Sequence, residues 1–421
     1  MYKHIATGIA GVTLLGASLA NAVPVYESDE VTLFISGYFS ANQINTDGNT
    51  FLDDGFNRIR LGLNTSAYKD WNVGFNAEWG VNAISAGQPL IIAGDQQAGL
   101  GDRGRSLFIR QGHVFAKHEH WGDFVAGKQW AVYYDVAGYT DWYEISGGLA
   151  SGAFSLGSDG GILGTGRADS AITWHKSWAG LGGEMKIGLQ YQAHTAPIDV
   201  RVENVVGEDL LLECPEGDCE FGLGHSISLQ YTADVGDGLT LGAAYNRVKI
   251  DLETTRGRVF DITDPLNPIL IRTDFSIGAS SNSWALIAGF QYGKGPYQEG
   301  LYAGVVAQRS QNNELAPEGS TEGITNFFDA EGSESIFTYT WGLKDCYSFY
   351  FGHNILRSDD PGFEEALIDE DLFELKKYFI GFQYRWSDRV KLYTENTIDD
   401  SNSLGAAFAG DVIAVGMRVD I

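Results

Sequence analysis

Arg58 and Arg60 are the first residues whose spacing could do chemistry. They lie in Phe56–Ala67, where Arg58, Arg60, Gly62, Asn64 and Ser66 alternate with Ile59, Leu61, Leu63 and Ala67. In a strand this puts both guanidinium groups on one polar face, opposite an apolar one. Two permanent cations do no covalent chemistry by themselves. Set against carboxylates across a narrow wet passage, they create a transverse field that orders water and admits small polar solutes. Covalent catalysis finds less support. Ser, His and Asp are present, but no spacing singles out a nucleophile with its base. His113, His118 and His120 flank a short turn, and the last two read as solvent-facing rather than as metal ligands.

The charge balance narrows the partners. The chain has 55 acidic and 28 basic residues, a formal charge of -27. Phosphate backbones need a basic surface, so nucleic acid is excluded as a partner. The segments Glu203–Glu220, Gln311–Glu334 and Asp359–Glu374 hold 21 of the 55 acids, and they are expected to be hydrated loops on one side. Crowded carboxylates of this kind could hold calcium or magnesium weakly, since both prefer oxygen ligands. No calcium-loop motif is present, and a hydrated anionic surface explains the same residues. No other cofactor is expected. Cys214 and Cys219 bracket Pro-Glu-Gly-Asp within the first acidic segment and could form a small loop disulfide in an oxidising compartment. Cys346 is left over.

The elements that must carry Arg58 and Arg60 are strands. Residues 1–22 read as a secretory signal peptide: Lys3 and His4, an apolar run from Ile5 to Leu19, and Ala20-Asn21-Ala22 as the cleavage site. The remaining 23–421 show no linker and no further apolar run long enough for a membrane helix. The 54 glycines and only 9 prolines fit many strands joined by turns. Period-two alternation recurs throughout. Trp71, Val73, Phe75, Ala77, Trp79 and Val81 face one way, and Asn72, Gly74, Asn76, Glu78 and Gly80 the other.

Sixteen strands are predicted, at 31–40, 56–67, 71–81, 107–117, 123–130, 168–176, 183–193, 225–233, 239–248, 282–292, 300–309, 334–343, 346–354, 374–386, 389–397 and 410–420. Short turns alternate with long connections, among them 194–224, 249–281, 310–333 and 355–373. The strand lengths suit a tilted bilayer crossing. Trp71, Trp121, Trp178, Trp386 and Tyr393 sit near strand ends, as an interfacial girdle requires. The fold class expected is therefore all-β: a transmembrane antiparallel barrel of about sixteen strands. Its last strand should pair with the first near Val31–Ser40, because an open edge in lipid leaves backbone groups unpaired.

One stretch carries a family likeness. Gly127-Lys128, Tyr134-Asp135 and Gly138-Tyr139-Thr140-Asp141, followed by Gly147-Gly148, leave the fifth strand and enter a Gly-rich segment. This resembles the third external loop of the general, nonspecific trimeric porins of Gram-negative bacteria. Ile59-Arg60-Leu61-Gly62, Gly166-Arg167 with Ala171-Ile172-Thr173-Trp174, and Ala414-Val415-Gly416-Met417 resemble that family's second, sixth and last strands. The resemblance implies a passive outer-membrane channel for ions and small hydrophilic solutes, a homotrimer embedded in lipid and lipopolysaccharide. It also implies that the third loop, 131–167, folds inward as a constriction. Asp141 would be its acid, with Asp135 or Glu144 assisting. Arg60, Arg110 and Arg167 match wall arginines. Arg58 faces the same way, and Lys128 supplies a further base.

The chain departs from the family at Tyr38, where a lumen lysine is common, and at Ile421, where Phe is usual. Trp142 and Tyr143 make the loop tip more aromatic. With Tyr38 they are candidates to line the pore, and a substrate-specific porin for a sugar or similar nutrient is the alternative reading. The missing lysine and the acidic loops together predict mild cation selectivity.

Overall fold

Alternating apolar and polar residues make each segment a strand with two unlike faces, and the computed structural model closes these strands into one barrel. It describes residues 22–46, 48–84, 105–155, 158–193, 196–197, 200–205, 208–213, 219–261, 269–315, 327–359, 373–402 and 410–421. Its strands are β1 (Val31–Thr46), β2 (Arg58–Ser66), β3 (Asn72–Val81), β4 (Leu107–His118), β5 (Gly122–Trp130), β6 (Arg167–Gly180), β7 (Gly183–Gln192) and β8 (Cys219–Ala233). The second half consists of β9 (Leu239–Asp261), β10 (Ile269–Tyr292), β11 (Gly300–Leu315), β12 (Phe327–Trp341), β13 (Tyr347–Ser358), β14 (Glu374–Ser387), β15 (Val390–Asp399) and β16 (Val412–Asp420). Sixteen antiparallel strands are thus the outcome, as the alternation predicts.

Outward positions carry the apolar belt. Ile109, Val114, Ile172, Leu189, Leu229, Leu241, Leu286, Phe349 and Ile380 are all exposed on that face. In β16 Val415, Met417 and Val419 point outward, as the alternation requires. Inward positions are polar and buried, including Asn76, Glu78, Gln190, Ser228, Asn246, Glu334, Asn354 and Glu395. The short turns lie at the barrel end that also holds both termini, which is the periplasmic end in outer-membrane barrels. Trp121, Trp178 and Trp386 are exposed there and Trp71 is partly covered, packed 4.9 Å from the His118 ring. Tyr393 does not join the girdle. It shares the inward phase of β15 with Glu395 and Thr397, and its hydroxyl donates to Asn42 Oδ1 at 2.7 Å. The carboxylate at Glu395 fixes that phase, because it cannot face lipid without a large penalty.

The seam differs from the expected register. β16 closes on β1 as expected, but from Tyr38↔Asp420 to Thr46↔Val412, so the seam shares only Tyr38–Ser40 with the expected Val31–Ser40 and runs on above it. The lower edge of β1 is covered instead by the short strand Val23–Glu27, which pairs Val23 with Ile35 and Glu27 with Thr32. Gly37 marks the changeover at φ +138, where a Cβ would meet the Arg58 carbonyl oxygen at 2.1 Å. No other residue type fits there without moving the backbone.

All four long connections named above are partly strand; 310–315, 327–333 and 355–358 extend β11, β12 and β13. β9 and β10 span 23 and 24 residues and stay paired from Leu239↔Tyr292 to Asp261↔Ile269. A crossing needs only about 9–11 residues, so this hairpin stands well beyond the bilayer and takes up most of 249–281. Val200–Val205 and Glu208–Glu213 pair with each other, and the second of them with the far end of β9. Segment 194–224 is therefore also partly sheet. Cys214 and residues 360–372, the greater part of the third acidic segment, lie outside the described residues, as do residues 1–21 of the signal segment.

Candidate functional site

The lumen is built from inward polar side chains and from one loop that enters it. After Trp130 the chain makes a single helical turn, α1 (Tyr134–Ala137), ended by Gly138. The Trp130 ring stacks on Tyr134 at 4.0 Å, and the Tyr133 hydroxyl donates to the Ser151 carbonyl at 2.9 Å. The described residues from Ala131 to Arg167 are nearly all buried inside the barrel.

Polar anchors hold this loop against half of the wall. Asp135 accepts from Ser228 at 2.7 Å and lies 2.9 Å from His175 Nε2 and 3.2 Å from Lys186 Nζ. Burial alone would raise the Asp135 carboxyl, but His175 and Lys186 outweigh it and hold the group well below the usual carboxylate range. Further along, Tyr302 donates to the Tyr139 carbonyl at 2.7 Å, and Glu334 receives Thr140 Oγ1 and the Ala150 N–H, each at 2.7 Å. Glu395 receives the Glu144 N–H at 2.9 Å, and Ser146 meets Thr397 at 2.8 Å. The loop therefore crosses from β6 to β15, with Ile145 packed against Ile44, Val412 and Ala414 at the upper seam, and leaves the lower wall of β16 and β1–β4 open.

That open wall carries the arginines. Glu78 on β3 is fully buried. It binds Arg60 directly, Arg110 Nε at 2.9 Å, and approaches Arg58 at 4.0 Å. One carboxylate thus gathers three guanidinium groups. Beside them Arg418 lies 3.5 Å from the centre of the Tyr38 ring, with Arg58 4.8 Å from the same ring. Arg418 also makes a two-pronged contact with Asp420, through Nε at 2.8 Å and Nη2 at 2.6 Å.

Loop tip and open wall enclose a cavity of about 890 Å³ on the periplasmic side. Arg58, Arg60, Tyr38, Asp141, Trp142, Tyr143 and Glu144 all line it, so seven of the candidate residues come together. Asp141 accepts from the Tyr134 hydroxyl at 2.5 Å, and Glu144 binds Lys391. The Trp142 carbonyl accepts from Tyr297, and Tyr143 donates to the Ser335 carbonyl.

The other described candidates among the charged residues do not line the cavity. Arg110 is buried on Glu78. Arg167 is fully buried, 3.6 Å from Asp159 and 5.7 Å from the Trp130 ring centre. Lys128 reaches Asp159 at 2.7 Å and Asp169 at 2.6 Å. Burial works against ionisation of Asp159, but Lys128 and Arg167 prevail and lower its carboxyl. Lys128, Arg167 and Asp135 therefore clamp the two roots of the loop.

Glu78, Lys391, Glu395, Glu334 and Arg418 are missing from the sequence-derived candidates. Glu78 had a usable signal. The turn centred on Lys69 pairs position 60 with position 78, a base with an acid on one face. The anchoring glutamates of β12 and β15 had none, because nothing local tells which strand a distant loop will touch.

A closed barrel with an apolar outside, a polar inside and a loop folded partway across its lumen is a porin-type diffusion channel. The chain matches the Gram-negative porin family over residues 6–403 and belongs to that family. It is 22% identical to outer membrane protein S2 of Salmonella typhi over 96% of each chain, and 23% identical to outer membrane porin N of Escherichia coli K12, again over 96% of each. Among solved structures it is similar to Salmonella typhi OmpF in complex with daunomycin, with a TM-score of 0.61 at 15% identity, covering 95% of this chain and 100% of that one. It is similar also to the anion-selective porin of Comamonas acidovorans, with a TM-score of 0.55 at 13% identity, covering 93% and 100%. The chain is thus a passive channel of the outer membrane.

Proposed function

We propose that this channel is a general pore for ions and small hydrophilic solutes, with loop 131–167 as its constriction and a mild preference for cations. The observation that carries the reading is the shared cavity, with Arg58 and Arg60 on the wall and Asp141 and Glu144 on the loop. Opposed charges across water orient solvent dipoles, and an apolar solute that sheds its hydration gains nothing in return. Lumen cations have carboxylates close by: Arg58, Arg60 and Arg110 share Glu78, Lys391 has Glu144, and Arg418 has Asp420. These pairings offset much of the positive charge of the passage, and the acid excess of the chain, -27, sets the ion preference at the mouth. A reversal potential across a salt gradient tests this. It is expected to show modest cation preference, and anion preference would overturn it.

Assembly as a homotrimer in contact with lipid and lipopolysaccharide belongs to the same reading. A Vibrio cholerae OmpT structure of this fold, at 16% identity, is described as a trimer form. Conductance steps arriving in threes are the expected signature. Export through signal segment 1–22 predicts Val23 as the first residue of the mature protein, which N-terminal sequencing reads directly. The aromatic loop tip favours one second reading, a channel specific for a sugar. Saturable block of the current by one sugar would establish it, and currents indifferent to sugars would dismiss it.

A further inference from the structure

The chain is strongly acidic, yet the cavity below the loop is not. Its lining carries Arg58, Arg60, Lys117, Arg385, Lys391 and Arg418 against Asp141, Glu144, Asp388 and Asp420. The acid that gathers the arginines, Glu78, is fully buried behind them, so an entering solute meets the guanidinium groups first. Parts of Arg58, Arg60 and Arg418 remain exposed, at 13%, 11% and 27% of their side chains.

The same cavity is rich in rings. Tyr38 lies under Arg418 and Arg58, Trp142 comes from the loop tip, and Tyr297 stands on the short turn below, its ring centre 5.8 Å from Lys391. These rings are fixed rather than loose. Trp142 and Tyr297 are tied to each other by a hydrogen bond and pack on the cluster of Tyr143, Tyr302, Ile336, Tyr350 and Phe379. Preorganised rings beside preorganised guanidinium groups lose little freedom when a solute arrives. Guanidinium recognises carboxylate through paired N–H donors, and aromatic faces and edges take a planar ring.

We propose that this cavity is a binding subsite for small aromatic monocarboxylates, with Arg58 and Arg418 receiving the carboxylate and Trp142, Tyr297 and Tyr38 receiving the ring. The inference rests on the diffusion-pore reading and adds a preferred passenger to it. A solute held briefly at the periplasmic exit is enriched within the passage relative to bulk, which favours its uptake at low concentration. Binding must stay weak for the solute to leave, so affinities in the millimolar range suit the purpose.

Single-channel recording in a planar bilayer tests the site, with potassium chloride as the carrier and benzoate, acetate and benzyl alcohol as probes. Benzoate is expected to block the current saturably. Acetate and benzyl alcohol should be at least tenfold weaker, because each supplies only half of the ligand. Arg418→Gln and, separately, Arg58→Gln should weaken benzoate block at least tenfold, while Arg309→Gln, exposed on the outer wall, should leave it unchanged. Open steps in potassium chloride identify folded channels before any probe is added. The proposal is overturned if acetate or benzyl alcohol matches benzoate, if benzoate does not block, or if both cavity variants keep wild-type block. Absence of steps in every chain would instead refute the channel reading on which it stands.

Discussion

Glu78→Gln removes the one carboxylate that three arginines share. Glutamine keeps the shape and some hydrogen bonding but no charge. The lumen wall then gains one net positive charge beside Arg58 and Arg60, which line the passage. An ion passing about 6 Å from that charge changes in energy by ~0.7 kcal/mol in water. Screening at 0.1 M salt, with a Debye length of about 10 Å, leaves ~0.4 kcal/mol. Cations are depleted about twofold and anions enriched about twofold, so the cation-to-anion permeability ratio falls about fourfold. Reversal potentials across a tenfold salt gradient read this ratio directly. The same variant leaves buried Arg110 short of its partner, and loss of one member of a buried ion pair costs about 3–5 kcal/mol. Urea unfolding of the variant in detergent micelles measures that cost. An unchanged permeability ratio in channels of normal step size would refute the placement of the arginine cluster on the ion path.

Three further outcomes follow from the geometry. Asp135→Asn frees the first root of the loop from His175 and Lys186, and a noisier, larger current is expected at neutral pH. Because the folded Asp135 carboxyl is held below its ordinary range, its stabilisation is complete above about pH 4 and fades only as pH drops further toward the folded value. The wild-type current should therefore stay quiet between about pH 5 and 7, and loop noise appearing already near neutrality would contradict this. Ser146→Cys with Thr397→Cys places two thiols where hydroxyls now touch at 2.8 Å. Oxidation should lock the loop to β15, seen as faster gel migration and an unaltered step size. Ile172→Arg puts a charge on the lipid face of β6; it is expected to cost about 2–4 kcal/mol of barrel stability if it lies near the midplane.

Much of this architecture is legible in the sequence, for a physical reason. A strand with lipid on one side and water on the other must alternate, and alternation survives in a single sequence. The lengths of β9 and β10 are under-read: alternation runs on past 248 through Ile250 and Leu252, and the extension becomes clear only where Asp261 pairs with Ile269. Tyr393 misleads because a tyrosine near a strand end suits an interface by type, while the phase set by Glu395 turns it inward. The candidate site divides along a similar line. Arg58, Arg60 and Asp141 are placed by their own strand or by a local motif. Arg167, Lys128 and Asp135 bear the expected charges, but their partners come from the loop root and from β6–β8, so they anchor the loop and do not line the cavity. Arg418 is invisible as a pore residue until closure brings β16 beside Tyr38.

The contacts that hold the loop also set a timetable. Ser146 and Thr397 are 251 residues apart, and Glu144 reaches Glu395 across the same distance. A loop in the first half of the chain thus finds its last anchors only in the penultimate strand. Long separations of this kind delay folding, since the chain loses its freedom before the contact can compensate. Until β15 is in place the loop has only the anchors of its first half, and the lumen beside it has no finished aperture. Seating of the loop and closure of the wall are consequently late steps, and on the proposed reading a barrel arrested before them is a leak rather than a filter.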